Sequence, residues 1–195
     1  YIEQALEALG HEIVAIDEGR YLFPGRLRQR LAFLEDMDIR HFNARVLHEA
    51  GKSDPHVALM LGGERIQRET VERLSRRGIV TILWTVDPPA RFAPVLRSAS
   101  AYDHIFCQGT EAVEILEMAG IEGPRWLPMA CDPAHHRPVG LTADDRDRYG
   151  HDVVFVGSHS PRRETWLGAL ADVDLAIWGP GWKEMRDESP LKLSL

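Results

Sequence analysis

The chain has 195 residues, a formal net charge of -7 and an isoelectric point near 5.7, which argues against a general nucleic-acid binder, because phosphate-backbone binding needs a basic face. Its 44% hydrophobic and 27% charged residues are the balance of an ordinary globular protein, long enough for one generous domain or for one domain and part of another. No apolar run approaches the ~20 residues that cross a bilayer, and Cys107 and Cys131 are too few for a disulfide framework or a zinc site, so the expectation is a cytoplasmic protein with no transmembrane segment.

Tyr1 to Gly10 reads as a helix with an apolar stripe of Ile2, Leu6 and Leu9, closed by Gly10. Such a helix is expected to follow a strand, so the first domain reads as lacking its first strand and loop. His11 to Asp17 reads as a short strand and Gly19 to Gly25 as a turn-rich connection. Leu27 to Leu34 and Ile39 to Leu47 carry apolar residues at helical spacing, and Asp54-Pro55 breaks the helix. His56 to Gly62 is a nearly continuous apolar run. Glu64 to Arg77 returns to helical spacing through Val71 and Leu74 and stops at Gly78. Ile79 to Trp84 is β-branched and apolar throughout, the most strand-like segment of the chain. A strand at His104 to Cys107, a helix at Glu111 to Ala119 and a strand at Arg125 to Pro128 complete the series. Strands alternate with helices and are solidly apolar, which predicts strands buried on both faces of a parallel sheet in a Rossmann-like α/β domain over residues 1–129.

Ala130 to Gly150 breaks the rhythm with Asp132-Pro133, Pro138, Gly140 and the charge run Asp144-Asp-Arg-Asp-Arg, and reads as an interdomain connection. Residues 151–195 then read as the incomplete start of a second Rossmann-like domain. Val153 to Val156 is a buried strand, Gly157 opens a tight turn, and Ser160 is the N-cap of a helix with Pro161 in its first position. Arg162 and Arg163 fall in that helix's first turn, where the macrodipole is partly positive and cations are disfavoured. Two arginines behind a glycine turn and beside free N–H groups suit an anion, most often a phosphate. The alternative is a pair of solvated arginines bonded to carboxylates such as Glu164. A strand at Leu175 to Trp178 follows, then Gly179-Pro-Gly-Trp182.

Several other residues invite a function. Asp87 sits just past a strand's C-terminal end, where open α/β sheets hold ligands, and Pro88-Pro89 stiffens its loop. It reads as a general base or a hydroxyl contact, or as a cap of the turn. Gly62 and Gly63 end the preceding strand and either line the same cleft or permit a tight turn into Glu64. His159 lies within the proposed phosphate turn. His135 and His136 are adjacent, point apart and lack suitably spaced partners, so no metal is expected there. Cys107 and Cys131 are expected to be buried thiols. Trp84, Trp126, Trp166 and Trp178 are expected in the core, with Trp182 the one exposed near a ligand.

Two Rossmann-like domains in series, joined by a Pro-containing connection, resemble the plan of GT-B glycosyltransferases. Trp126-Leu-Pro-Met-Ala-Cys-Asp-Pro-Ala-His-His-Arg-Pro is similar to the sequence that ends their N-terminal domain. Phe155-Val-Gly-Ser, Arg163 with Leu167 and Leu170, Ile177-Trp-Gly-Pro-Gly-Trp, Ile82-Leu-Trp-Thr-Val-Asp-Pro-Pro and Asp103-His-Ile-Phe-Cys together resemble the spore-maturation CgeB-like glycosyltransferases. That resemblance runs from about Asp54 to Trp182. It implies a nucleotide-sugar donor held mainly by the second domain, with Gly157 admitting the diphosphate and Arg163, then Arg162, neutralising it. Ser158, His159 and Trp182 would join the donor site, and Gly62 and Gly63 the acceptor-side cleft with Asp87 as the catalytic residue. It implies cationic side chains rather than a metal to stabilise the leaving group, no further cofactor, and an acceptor of unstated kind. The chain lacks the family's first-strand loop and later donor-binding segment, so it is expected to be inactive alone. A non-catalytic GT-B-like scaffold and a sugar-nucleotide epimerase remain alternatives.

Overall fold

The computed structural model describes residues 1–86 and 92–193. They fall into two compact units, Tyr1–Pro133 and Ala134–Leu195. The division lies within the 130–150 stretch.

The first unit contains α1 (Ile2–Ala8), α2 (Gly25–Arg30), α3 (Ala32–Ser53), β1 (Val57–Leu61), α4 (Arg68–Ser75), β2 (Val80–Thr85), α5 (Ala93–Ser98), β3 (His104–Cys107), α6 (Thr110–Met118) and β4 (Pro124–Trp126). Its strands form one parallel sheet in the order β1-β2-β3-β4. Right-handed crossovers between consecutive parallel neighbours bring every connecting helix to the same face. The core follows from that geometry. Met60, Leu83, Ile105 and Cys107 point from the sheet into a layer built from Phe42 and Val46 of α3, Val71 and Leu74 of α4, Val95 of α5 and Leu116 of α6. This α/β arrangement is compatible with a Rossmann-like domain.

Two expectations about this unit need correction. The strands are not buried on both faces: side chains alternate along a strand, and Val57, Leu59, Leu61 and Val80 stand on the other face, 38% to 49% exposed. Apolar composition shows what a strand can bury, not whether a helix arrives to cover it. Nor do residues 11–17 form a strand; β1 is the edge of the sheet and pairs only with β2. The end of that stretch is held by arginines instead, with Arg45 donating to the Asp17 carbonyl and Arg65 to the Glu18 carbonyl.

A buried carboxylate continues this anchorage. Asp38 on α3 is 1% exposed, accepts the Leu22 N–H at 2.6 Å, and pairs with Arg28 Nε at 3.2 Å. The Arg28 and Arg65 guanidinium groups both lie over the Tyr21 ring, at 3.6 and 4.3 Å from its centroid. The 17–24 segment is thus fixed to α3 and to the loop after β1 by charge-assisted hydrogen bonds.

The second unit contains α7 (Ala143–Tyr149), β5 (Val153–Val156), α8 (Pro161–Gly168) and β6 (Leu175–Trp178), with β5 and β6 parallel. The charge run read as connection is the helix α7. Thr142 accepts the Asp145 N–H while the Asp145 carboxylate accepts the Thr142 N–H, a reciprocal capping box that supports helix initiation. Leu167, Leu175, Trp182, Met185 and Leu191 form this unit's own core. Among the described residues no helix is long and apolar enough to cross a membrane.

Gly62 and Gly63 make the turn out of β1 with φ of +81° and +82°, a left-handed conformation that side chains resist. A Cβ on Gly63 would also press on the Leu83 side chain. Gly63→Ala is therefore expected to destabilise the first unit by about 1–3 kcal/mol, measured by urea unfolding; unchanged stability would show that the turn tolerates another conformation.

Candidate functional site

The strand Val153–Val156, the turn and the helix Pro161–Gly168 lie where the sequence reading put them, but the strand is not buried: Val154 and Val156 are 46% and 75% exposed. Ser160 is the N-cap, its hydroxyl accepting the Arg163 N–H at 3.3 Å, and Pro161 occupies the first helical position. The turn is laced to the loop after β6. The Gly157 N–H donates to the Trp178 carbonyl at 2.8 Å, the Trp182 indole N–H donates to the Gly157 carbonyl at 2.8 Å, and the His159 N–H donates to the Pro180 carbonyl at 2.9 Å. So closely do the two loops approach that a Cβ on Gly179 would collide with the Gly157 carbonyl oxygen.

Trp182 is the first correction here. It is 4% exposed, sits edge-on to Phe155 and His159, and spends its one donor on Gly157. It shapes the turn from beneath instead of facing a ligand, because an indole has a large apolar body that this small core needs. Three of the four tryptophans expected in the core depart in the opposite direction: Trp126, Trp166 and Trp178 are 60%, 61% and 36% exposed, and Trp84 is half-buried. Cys131 is exposed, whereas Cys107 is buried and its thiol pKa is raised by that burial.

Beneath the turn lies a polar knot that sequence reading missed. Glu164, 2% exposed, accepts from His159 Nε2 at 2.9 Å and from Arg186 Nε at 3.2 Å. The hydrogen bond from His159, aided by Arg186 and Ser189, outweighs the cost of burial and lowers the carboxyl pKa to about 2. Glu164 is therefore not the partner of Arg162 or Arg163. His159 points inward, and only its backbone belongs to the rim of the turn. Arg186 lies 22 positions from Glu164, and no local pattern announces such a pairing.

The two arginines part company. Arg163 folds back over the turn, with Nη1 donating to the Ser158 carbonyl at 2.7 Å and to the Ser158 hydroxyl at 2.9 Å. Arg162 stacks on Trp166, its guanidinium carbon 4.4 Å from the ring centroid. The N–H groups of Ser158, Ser160 and Arg162 donate to no protein acceptor among the described residues. Free N–H groups, a hydroxyl and an exposed guanidinium at a helix N-terminus are the elements of an anion cradle.

The other candidates belong to the first unit. Gly62 and Gly63 are buried at the turn after β1, where their conformation serves the bend into Glu64. Asp87 lies outside the described residues. Among the described residues, no group of three or more His, Cys, Asp or Glu is arranged to hold a metal ion. No protein family matches the sequence, and none of the curated proteins matches it.

The Glu164 carboxyl titrates near 4.5 in an unfolded chain and at about 2 in the folded one, so its stabilising effect is complete above about pH 5 and is lost as pH falls through that interval. Thermal unfolding of the second unit, followed by tryptophan fluorescence, is expected to weaken between about pH 5 and pH 2, and Glu164→Gln to lower stability at neutral pH while flattening that acid-side slope. An unchanged slope in the variant would assign it to other carboxylates.

Proposed function

We propose that the turn from Gly157 to Arg163 binds the diphosphate of a nucleotide-activated sugar, and that the chain is part of a GT-B glycosyltransferase of the CgeB-like kind. The observation that carries this reading is the Arg163 guanidinium, held by Ser158 over an N-terminal helix turn in which the Ser158, Ser160 and Arg162 N–H groups have no protein acceptor among the described residues. Glycosyl transfer needs such a cradle. As the bond from the anomeric carbon to the diphosphate oxygen breaks, charge accumulates on the leaving group, and preorganised donors stabilise it without having to reorganise. Gly157 has both its backbone polar groups bonded within the unit, and its lack of a side chain makes room for the Phe155 ring beneath the Arg163 guanidinium.

Each residue has a distinct part in this reading. Arg163 is the principal cation. Ser158 supplies its hydroxyl and its N–H, and the Ser160 and Arg162 N–H groups complete the donor set. His159 and Trp182 are positioning residues, acting through Glu164 and through the Gly157 carbonyl. Arg162, stacked on Trp166, is available to a more distal phosphate oxygen by leaving that ring. Asp87 remains the proposed general base toward the acceptor, on the strength of its place in the sequence just beyond β2. Gly62 and Gly63 remain the proposed acceptor-side turn.

Calorimetric titration with nucleoside diphosphates tests this directly. Binding of at least one is expected, and Arg163→Gln is expected to weaken it about 10- to 100-fold, the effect of removing a charge-assisted hydrogen bond. Arg162→Gln is expected to have a smaller effect. Absence of binding, or equal binding by Arg163→Gln, would remove the turn from any donor site. In a form that turns over, Asp87→Asn is expected to reduce kcat at least ~100-fold with diphosphate affinity unchanged; near-normal turnover would take Asp87 out of the mechanism.

A further inference from the structure

One tryptophan of the second unit serves no core. Trp84, Trp126 and Trp182 each donate the indole N–H to a backbone carbonyl, those of Leu127, Gln108 and Gly157. The Trp166 indole donates to no acceptor among the described residues, and the residue is 61% exposed. The inner side of α8 is closed by Glu164 and Leu167, so Trp166 adds nothing to the packing of this unit. Its ring carries the Arg162 guanidinium instead, 4.4 Å from the ring centroid.

Helix geometry relates that ring to the turn. Side chains on a helix tilt toward its N-terminus, so each covers the turn before its own Cα. Trp166 therefore overhangs the turn that begins at Arg162, which lies ~6 Å before it along the axis. A ligand anchored by its phosphates at the Ser158, Ser160 and Arg162 N–H groups cannot extend inward, where Trp182 and His159 fill the space beneath the turn. Outward along α8 it meets the indole.

The chemistry of the group now on the ring indicates what replaces it. A guanidinium is planar and cationic, and at an exposed site its attraction to an indole is weak. A phosphate oxygen offers the same cation a charge-assisted hydrogen bond, which is stronger. An anion in the turn thus draws Arg162 off the ring and leaves a bare face that suits a planar aromatic group. The planar aromatic part of a nucleoside diphosphate is its base.

We propose that Trp166 is the stacking platform for the ligand's nucleobase, and that Arg162 covers the ring until the diphosphate claims it. The inference rests on the diphosphate reading of the Gly157–Arg163 turn and adds the course of the ligand: base over α8, phosphates at the turn, sugar on their far side. Stacking tolerates any base, so Trp166 supplies affinity for a nucleotide over a bare diphosphate rather than a choice among bases.

Calorimetric titration with pyrophosphate and with ADP, GDP, UDP and CDP tests the platform. In the unaltered chain at least one nucleoside diphosphate is expected to bind about 10-fold or more tighter than pyrophosphate, the size of a base–aromatic stack. Trp166→Ala is expected to remove that advantage with pyrophosphate affinity unchanged, and Trp166→Phe to restore most of it. If pyrophosphate binds and depends on Arg163, but the advantage is absent or survives in Trp166→Ala, the platform is overturned and the diphosphate site stands. Equal weakening of both ligands by Trp166→Ala would make Trp166 a support of the turn and would also overturn it. No binding of either ligand overturns the diphosphate reading and the platform together. An advantage of glucose 1-phosphate over inorganic phosphate that Trp166→Ala removes, with none for the nucleoside diphosphates, would give the ring to a sugar and overturn the base assignment. In isotopically labelled, unaltered protein the Trp166 indole N–H resonance is expected to move further with the tightest nucleoside diphosphate than with pyrophosphate. Equal movement would overturn stacking, whether or not the variants fold.

Discussion

A single buried carboxylate holds the second unit's turn in shape. Glu164 sits in the first turn of α8, where an acidic side chain also complements the helix dipole, yet it faces the interior. An unpaired charge there would be expensive, and His159 from the turn and Arg186 from beyond β6 meet that cost with hydrogen bonds. His159 is drawn inward, so the turn cannot swing away from the helix. With Glu164 occupied below, Arg163 is left to the outer side, where its partners are the carbonyl and hydroxyl of Ser158. Neutralised beneath and cationic above, the turn has its charges separated by the pairing of one glutamate.

Close backbone approach does the rest. Trp182 reaches under the turn to the Gly157 carbonyl, and Gly179 has no side chain to prevent the approach. The rim therefore carries N–H groups and a hydroxyl rather than bulky side chains. A cradle of this construction suits a ligand that is itself mostly oxygen and charge. In the first unit a different constraint rules: consecutive crossovers of one hand stack α3 to α6 on one side of the sheet and leave Val57, Leu59, Leu61 and Val80 exposed on the other.

The sequence was most legible where local chemistry decides the outcome. Ser160, Pro161 and Gly157 each carry a backbone preference strong enough to set the β5–α8 boundary, and the β-branched run before Trp84 could only be a strand. Thr142 and Asp145 bear a capping-box signature that the charge run obscured. Less was legible where a residue's fate depends on what arrives from elsewhere. The 11–17 segment has strand composition but no pairing partner. Trp182 looked exposed beside Gly-Pro-Gly but fills the core of a small unit, and Trp126 and Trp166 did the reverse. Glu164 reads as a surface partner for its arginine neighbours until Arg186 and His159 are seen to claim it. Pairings of that range leave no periodic trace in a single sequence.

The central claim is that the outer side of the Gly157–Arg163 turn is a diphosphate cradle. Titrating inorganic pyrophosphate into isotopically labelled protein and following amide chemical shifts addresses it most directly. The account predicts saturable shifts centred on the N–H groups of Ser158, Ser160 and Arg162, with Glu164 and the β-sheet amides of the first unit little changed. Shifts scattered over the arginine-bearing surface, or none at the turn at millimolar ligand, would contradict it.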